Sequence, residues 1–116
     1  MRQYETLARF ERDGLWIVVD KTWEETPLED CFDDTCYQLE RMRWQIENGD
    51  LDWFMLRVRA FVEDVELASS YLGGCLYESP TQVLEDGTVD DLLTEVIPEA
   101  QRRARTLYER LDRFAI

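Results

Sequence analysis

From Leu51 to Val62 the chain alternates apolar and other side chains, and after two charged residues, Glu63-Asp64, a second strand-like run extends from Val65 to Tyr77. This is the pattern of a β-hairpin, because successive side chains on a strand point to opposite faces. Phe54, Leu56, Val58, Ala60 and Val62 share one face of the first arm, and Trp53, Met55, Arg57, Arg59 and Phe61 share the other. The first set is the expected core face, packed against the first and last helices. The second arm carries Leu67, Tyr71 and Leu72 into Gly73-Gly74-Cys75-Leu76-Tyr77. Paired glycines inside a strand mark a bulge or a close approach by another backbone.

Around this hairpin the remaining elements fall in a definite order. Gln3 to Phe10 and Leu15 to Trp23 read as two more strands, joined through Asp13-Gly14, a hairpin turn signal. Leu15, Ile17 and Val19 share one face of the second strand while Trp16 and Val18 share the other, so both faces need cover. That cover is either a loop or strand of the same chain or a partner. Thr26-Pro27-Leu28-Glu29 matches a capped helix start, and Leu28, Phe32, Thr35, Leu39, Met42 and Ile46 recur along one helical face until Asn48-Gly49. The spacing predicts a helix of about six turns there. Ser79-Pro80-Thr81-Gln82 repeats the start signal for a short helix ending before Gly87. From Thr88, an apolar stripe of Val89, Leu92, Leu93, Val96, Ile97, Ala100, Ala104, Leu107 and Leu111 continues past Pro98 and predicts a long helix kinked near Thr94 or broken into two pieces. The order β-β-α-β-β-α-α predicts an α+β fold, residues 1–116 forming a single domain: a four-stranded antiparallel sheet with two long helices on one face.

Composition bounds what such a domain can do. Its 116 residues are 45% hydrophobic, a folded rather than a disordered composition, and enough to bury one core. Three cysteines, Cys31, Cys36 and Cys75, form no C-x-x-C pair and there is no histidine, which indicates neither a disulfide framework nor an ordinary zinc site. The expectation is a cytoplasmic protein with no membrane span and no secretory leader. The 26 acids against 13 bases give a formal net charge of −13, and all but one of the bases, Lys21, are arginine. A chain this acidic is repelled by phosphate backbones, so direct nucleic-acid binding is not expected.

The residues offer little catalytic chemistry. There is no Gly-rich phosphate loop, no G-x-S-x-G, and no histidine base, so catalysis would rest on carboxylates or cysteine. Asp33-Asp34 and Asp90-Asp91 are adjacent pairs, and neighbours on a helix diverge too far to converge on one ion. Cys31 and Cys36 sit among acids, which raise a thiol's pKa, and read as core-edge filler. Cys75, beside the glycines, is the most plausible reactive thiol, although a small residue in a tight strand needs no function. We expect no catalytic residue, no metal and no cofactor.

Charge distribution carries more. From Asp20 to Asp34 there are seven acids against Lys21 alone, and from Glu78 to Glu99 seven acids and no base. Two acidic fields on one small rigid body can imitate the phosphate rows of a duplex and compete for a basic groove. A solvated, solubilising surface explains the same runs.

Three segments carry a resemblance: Thr26-Pro27-Leu28-Glu29-Asp30-Cys31-Phe32-Asp33-Asp34; Leu51-Asp52-Trp53-Phe54 leading to Arg57-Val58-Arg59; and Leu67 to Ser79, most specifically Tyr71-Leu72-Gly73-Gly74-Cys75-Leu76-Tyr77. Over roughly residues 15 to 110 the chain resembles small acidic proteins encoded on phages, plasmids and integrative elements. Such proteins often resemble anti-restriction or anti-CRISPR inhibitors, which occupy a host defence complex rather than catalyse a reaction. The resemblance implies a non-enzymatic inhibitor and carries over no active residues. The expected contacts with a basic, nucleic-acid-binding host protein are Glu24, Glu25, Glu29, Asp30, Asp33, Asp34, Glu85, Asp86, Asp90 and Asp91. The alternative is a homodimeric accessory domain whose seam is the outer strand face, Trp16, Trp53, Met55 and Phe61, with acidity serving solubility only.

Overall fold

The computed structural model describes residues 3–32 and 38–114. Four strands, β1 (Glu5–Arg12), β2 (Leu15–Trp23), β3 (Asp52–Val62) and β4 (Val65–Tyr77), form one antiparallel sheet in the order β1-β2-β3-β4. Two helices, α1 (Leu39–Glu47) and α2 (Thr88–Asp112), and two 3-10 turns, Leu28–Asp30 and Pro80–Leu84, complete an α+β fold. The β1–β2 turn places Asp13 at φ +53° and Gly14 at φ +79°. Two positive φ values match the twist that a tight hairpin requires, which is why Asp-Gly stands there.

The central hairpin alternates as its sequence requires. Phe54, Leu56, Val58 and Ala60 are buried on one face with Ile17 and Val19 of β2. Val89, Leu93, Val96 and Ala100 of α2 close over them, together with Val83 of the second 3-10 turn. Each such aliphatic or aromatic side chain contributes roughly 1.5–3 kcal/mol when fully buried. In β4 the register shifts between the partners of Phe54 and Leu56, leaving Gly73-Gly74 as the bulge, with Gly74 at φ +68°. The close approach there is made by side chains, not backbone: a Cβ on Gly74 would stand 3.5 Å from the Trp53 ring and 3.6 Å from Cys31 Sγ.

The first helix differs from expectation in length and in face. Leu28–Asp30 is a single 3-10 turn whose N-terminal flank, Pro27, makes no side-chain cap, and the α-helix begins at Leu39; residues 33–37 lie outside the described residues. Thr26 does not serve as an N-cap because its backbone is tied elsewhere. Its carbonyl accepts the Trp53 indole N–H at 2.9 Å and its N–H donates to Glu24 Oε1 at 3.3 Å. Leu28, Leu39 and Trp53 form a second buried cluster with Phe32, Met42, Ile46 and Leu76. Trp53 alternates with Phe54, so this cluster covers the sheet face opposite α2, and the two helices lie on opposite faces. Phe54, Leu56 and Val58 therefore pack against the last helix alone. The stop at Asn48-Gly49 is as expected, with Gly49 at φ +81°.

α2 runs unbroken through Pro98. Thr94, whose carbonyl loses its donor at Pro98, is exposed, as is Pro98, so water can take the place of the missing N–H. Its apolar stripe outlasts the sheet: Leu107 and Leu111 are exposed and Phe114 beyond them is 83% exposed. The molecule is accordingly long, 64 × 28 × 23 Å, with a radius of gyration of 17.7 Å. Among the described residues no helix is long and apolar enough to cross a membrane.

Candidate interaction surface

The sheet topology decides where the two acidic segments emerge. Trp23, the last residue of β2, pairs with Phe54, and Tyr77, the last of β4, pairs with Asp52, so both strands end beside the start of β3. The segment after Trp23 turns over the Trp53 face and the segment after Tyr77 turns over the α2 face. Two rows of acids thus leave one end of the sheet on opposite sides. The second row then runs back along α2, where Asp90 Oδ1 meets the Arg12 Nη1 at 3.0 Å.

Of the ten predicted contact residues, Glu25, Glu29, Asp30, Glu85, Asp86, Asp90 and Asp91 are exposed. Asp33 and Asp34 lie outside the described residues. Glu24 is a correction: it is buried, its carboxylate packs against Gly73, and it accepts the Thr26 N–H. It anchors the loop instead of facing a partner. Glu29 is paired with Arg43 at 2.7 Å, and that hydrogen bond holds its carboxyl below the usual range. Asp86 accepts the Tyr77 hydroxyl at 2.5 Å and the Thr88 N–H at 2.9 Å. The Tyr77 contact, first among its causes, lowers the Asp86 pKa, and the same contact raises that of Tyr77. Asp86, one residue before the Gly87 N-cap, therefore satisfies the first N–H of α2 as well as contributing charge. Asp30, Glu85 and Asp91 make no ion pair among the described residues.

The proposed aromatic seam does not exist as drawn. Trp53 is 4% exposed beneath the Leu28–Leu39 cluster, Met55 and Phe61 are half-buried, and only Trp16 is open, at 45%. Over this half of the face, cover comes from the chain's own loop, one of the two possibilities left open by the alternation. At its centre lies an ion cluster that charge counting missed. Asp20, counted in the first acidic run, has a side chain only 2% exposed. Its Oδ2 accepts Arg57 Nε at 3.0 Å, Arg57 Nη2, and Arg59 Nη2 at 2.9 Å, while its Oδ1 has no partner among the described residues. Arg57 also stacks 3.5 Å over the Tyr4 ring. Tyr4, Trp16, Phe61 and these ions line an open cavity of about 380 Å³. The signal was present in the sequence: Asp20 shares a face with Trp16 and Val18, as Arg57 and Arg59 do with Phe61.

The thiols divide by environment. Cys31 is exposed, whereas Cys75 is buried and desolvation pushes its thiol up to about 11. Such a thiol is protonated at neutral pH and a poor nucleophile. Among the described residues no three His, Cys, Asp or Glu side chains group so as to hold a metal ion. Comparison with protein-family models, with curated proteins and with solved structures found no match.

Proposed function

We propose that this chain is a non-enzymatic acidic binding protein of a mobile element, acting in the cytoplasm to inhibit a host nucleic-acid-handling defence complex of the anti-restriction or anti-CRISPR kind. Its exposed acids compete, as a DNA mimic, for a basic groove on that complex. The observation that carries the proposal is the emergence of both acidic segments from one end of the sheet on opposite faces, with Asp30 on one side and Glu85 on the other. Association driven this way is fast, long-range and weakened by salt.

The test is capture from a host lysate on the immobilised chain, at low salt, followed by competition with duplex DNA. A captured basic protein that duplex DNA or high salt displaces supports the proposal. Asp30→Lys with Glu85→Lys then weakens capture while melting stays nearly unchanged, since exposed carboxylates contribute little to folding. Affinity indifferent to salt ends the mimicry reading and leaves acidity as a solubilising property.

A further inference from the structure

We propose that the chain self-associates through the free edge of β4, two copies pairing Ala68–Leu72 antiparallel about Ser70, with the α2 arm of each laid against the acid-only segment of the other. The sheet order leaves two edges, β1 and β4. β1 carries Glu5, Arg9, Glu11 and Arg12 within eight residues, the kind of charge that keeps an edge from pairing with another chain. β4 carries only Glu66 in thirteen. Its two register shifts leave a regular stretch between them, in which Ala68 to Leu72 pair one-to-one with Ala60 to Leu56. Five residues is an ordinary strand length, and Tyr71 and Leu72 on it are exposed.

Charge selects a second copy as the occupant. Beyond Gln101 the arm holds five arginines against Glu109 and Asp112. Arg102 and Arg103 share Glu99, but Arg105, Arg110 and Arg113 have no carboxylate partner among the described residues. The segment Glu78–Glu99 holds seven acids and no base. The arm passes Leu67, near the start of β4, where Leu107 and Arg110 line a shared cavity of about 440 Å³. The acid-only segment follows Tyr77, at the end of β4, on the same face of the sheet. Antiparallel pairing sets the start of one β4 beside the end of the other, so the arm of each copy meets the acids of its partner, twice, by the two-fold axis. A basic target would compete with the arm for these acids, while Asp30 on the opposite face stays uncovered. The inference thus stands apart from the identity of any target.

Light scattering on the purified full-length chain tests it. The expected mass is about twice 13.9 kDa at low salt, falling toward 13.9 kDa as salt rises. Ser70→Cys, in a Cys31→Ser, Cys36→Ser background, gives a disulfide dimer on oxidation, because directly opposed residues in an antiparallel pair have Cα atoms about 4.5–5.5 Å apart, within the span a disulfide bridges. Arg105→Glu with Arg110→Glu shifts the equilibrium toward monomer, and leaves the melting temperature unchanged at high salt, where both proteins are monomeric. A chain that stays monomeric at low salt, a dimer that Ser70→Cys fails to trap, or one that the double arginine reversal leaves intact overturns the proposal.

Discussion

Phe54 is the largest fully buried side chain among the described residues, and its ring stands 5.8 Å from that of Tyr77 beneath α2. Replacing it with alanine removes that packing and leaves a cavity that the sheet cannot collapse, so Phe54→Ala costs about 3–5 kcal/mol in denaturant titration. A mutant as stable as the parent would put Phe54 on the surface. Cys75 lies in the same core, and its thiol, pushed up to about 11, stays protonated at neutral pH. Alkylation at neutral pH therefore modifies exposed Cys31 readily and Cys75 only after unfolding, as peptide mapping would read out. Asp20 is a different kind of buried residue. Three guanidinium N–H groups converge on one of its oxygens, so a residue that charge counting assigned to a surface run holds β2 to β3 instead.

At the scale of elements, a single tryptophan decides how residues 24–32 and 38–48 are arranged. Trp53 gathers Leu28 and Leu39 onto the sheet and holds the Thr26 carbonyl with its indole N–H. α1, with nine residues, is too short to persist alone, since isolated helices below roughly 12–15 residues are marginal in water. Trp53→Phe keeps an aromatic ring but removes the donor, and amide exchange is expected to quicken in residues 24–32 and 39–47 while the β3–β4 ladder stays protected. Uniform protection in the mutant would show that the indole N–H does not pin this segment. The clamp between β4 and α2 is sensitive to pH at both ends. Asp86 has a lowered pKa, so its contribution is present above the free carboxylate's titration and fades as pH falls through the folded value. Tyr77 has a raised one, so the same contact contributes below the free phenol's titration and fades as pH rises through the folded value. Tyr77→Phe is expected to raise the Asp86 pKa, as NMR titration of that carboxyl reads directly; an unmoved value would remove the hydroxyl from its causes.

The whole molecule is a compact sheet and helix with a basic arm extending beyond it. Because the arm beyond Ala104 is exposed along nearly all its length, ending the chain at Arg105 is expected to abolish the proposed dimer and to leave the melting temperature nearly unchanged at high salt, where the chain is monomeric; a large fall there would show that the arm is part of the core. The strands, the two turns and the inward faces of β2 and β3 were determined by the sequence alone, because a period of two and an Asp-Gly turn are local and leave one register in which the apolar set is buried. The stripe of α2 was equally legible, since helical spacing survives Pro98 where the affected carbonyl faces water. Local signals could not reveal that Thr26-Pro27-Leu28-Glu29, a helix start in isolation, is drawn into a 3-10 turn, because the competing partner for Thr26 is Trp53, many residues away. Nor could a count of acids separate Asp20 and Glu24, buried against Arg57, Arg59 and Gly73, from Asp30 and Glu85 on the surface. Charge in a sequence is a sum, whereas burial is a property of what the folded sheet brings alongside; only the tertiary structure placed two acidic rows around one end of β3 and left β4, with Glu66 its one charged residue, as an edge of the sheet.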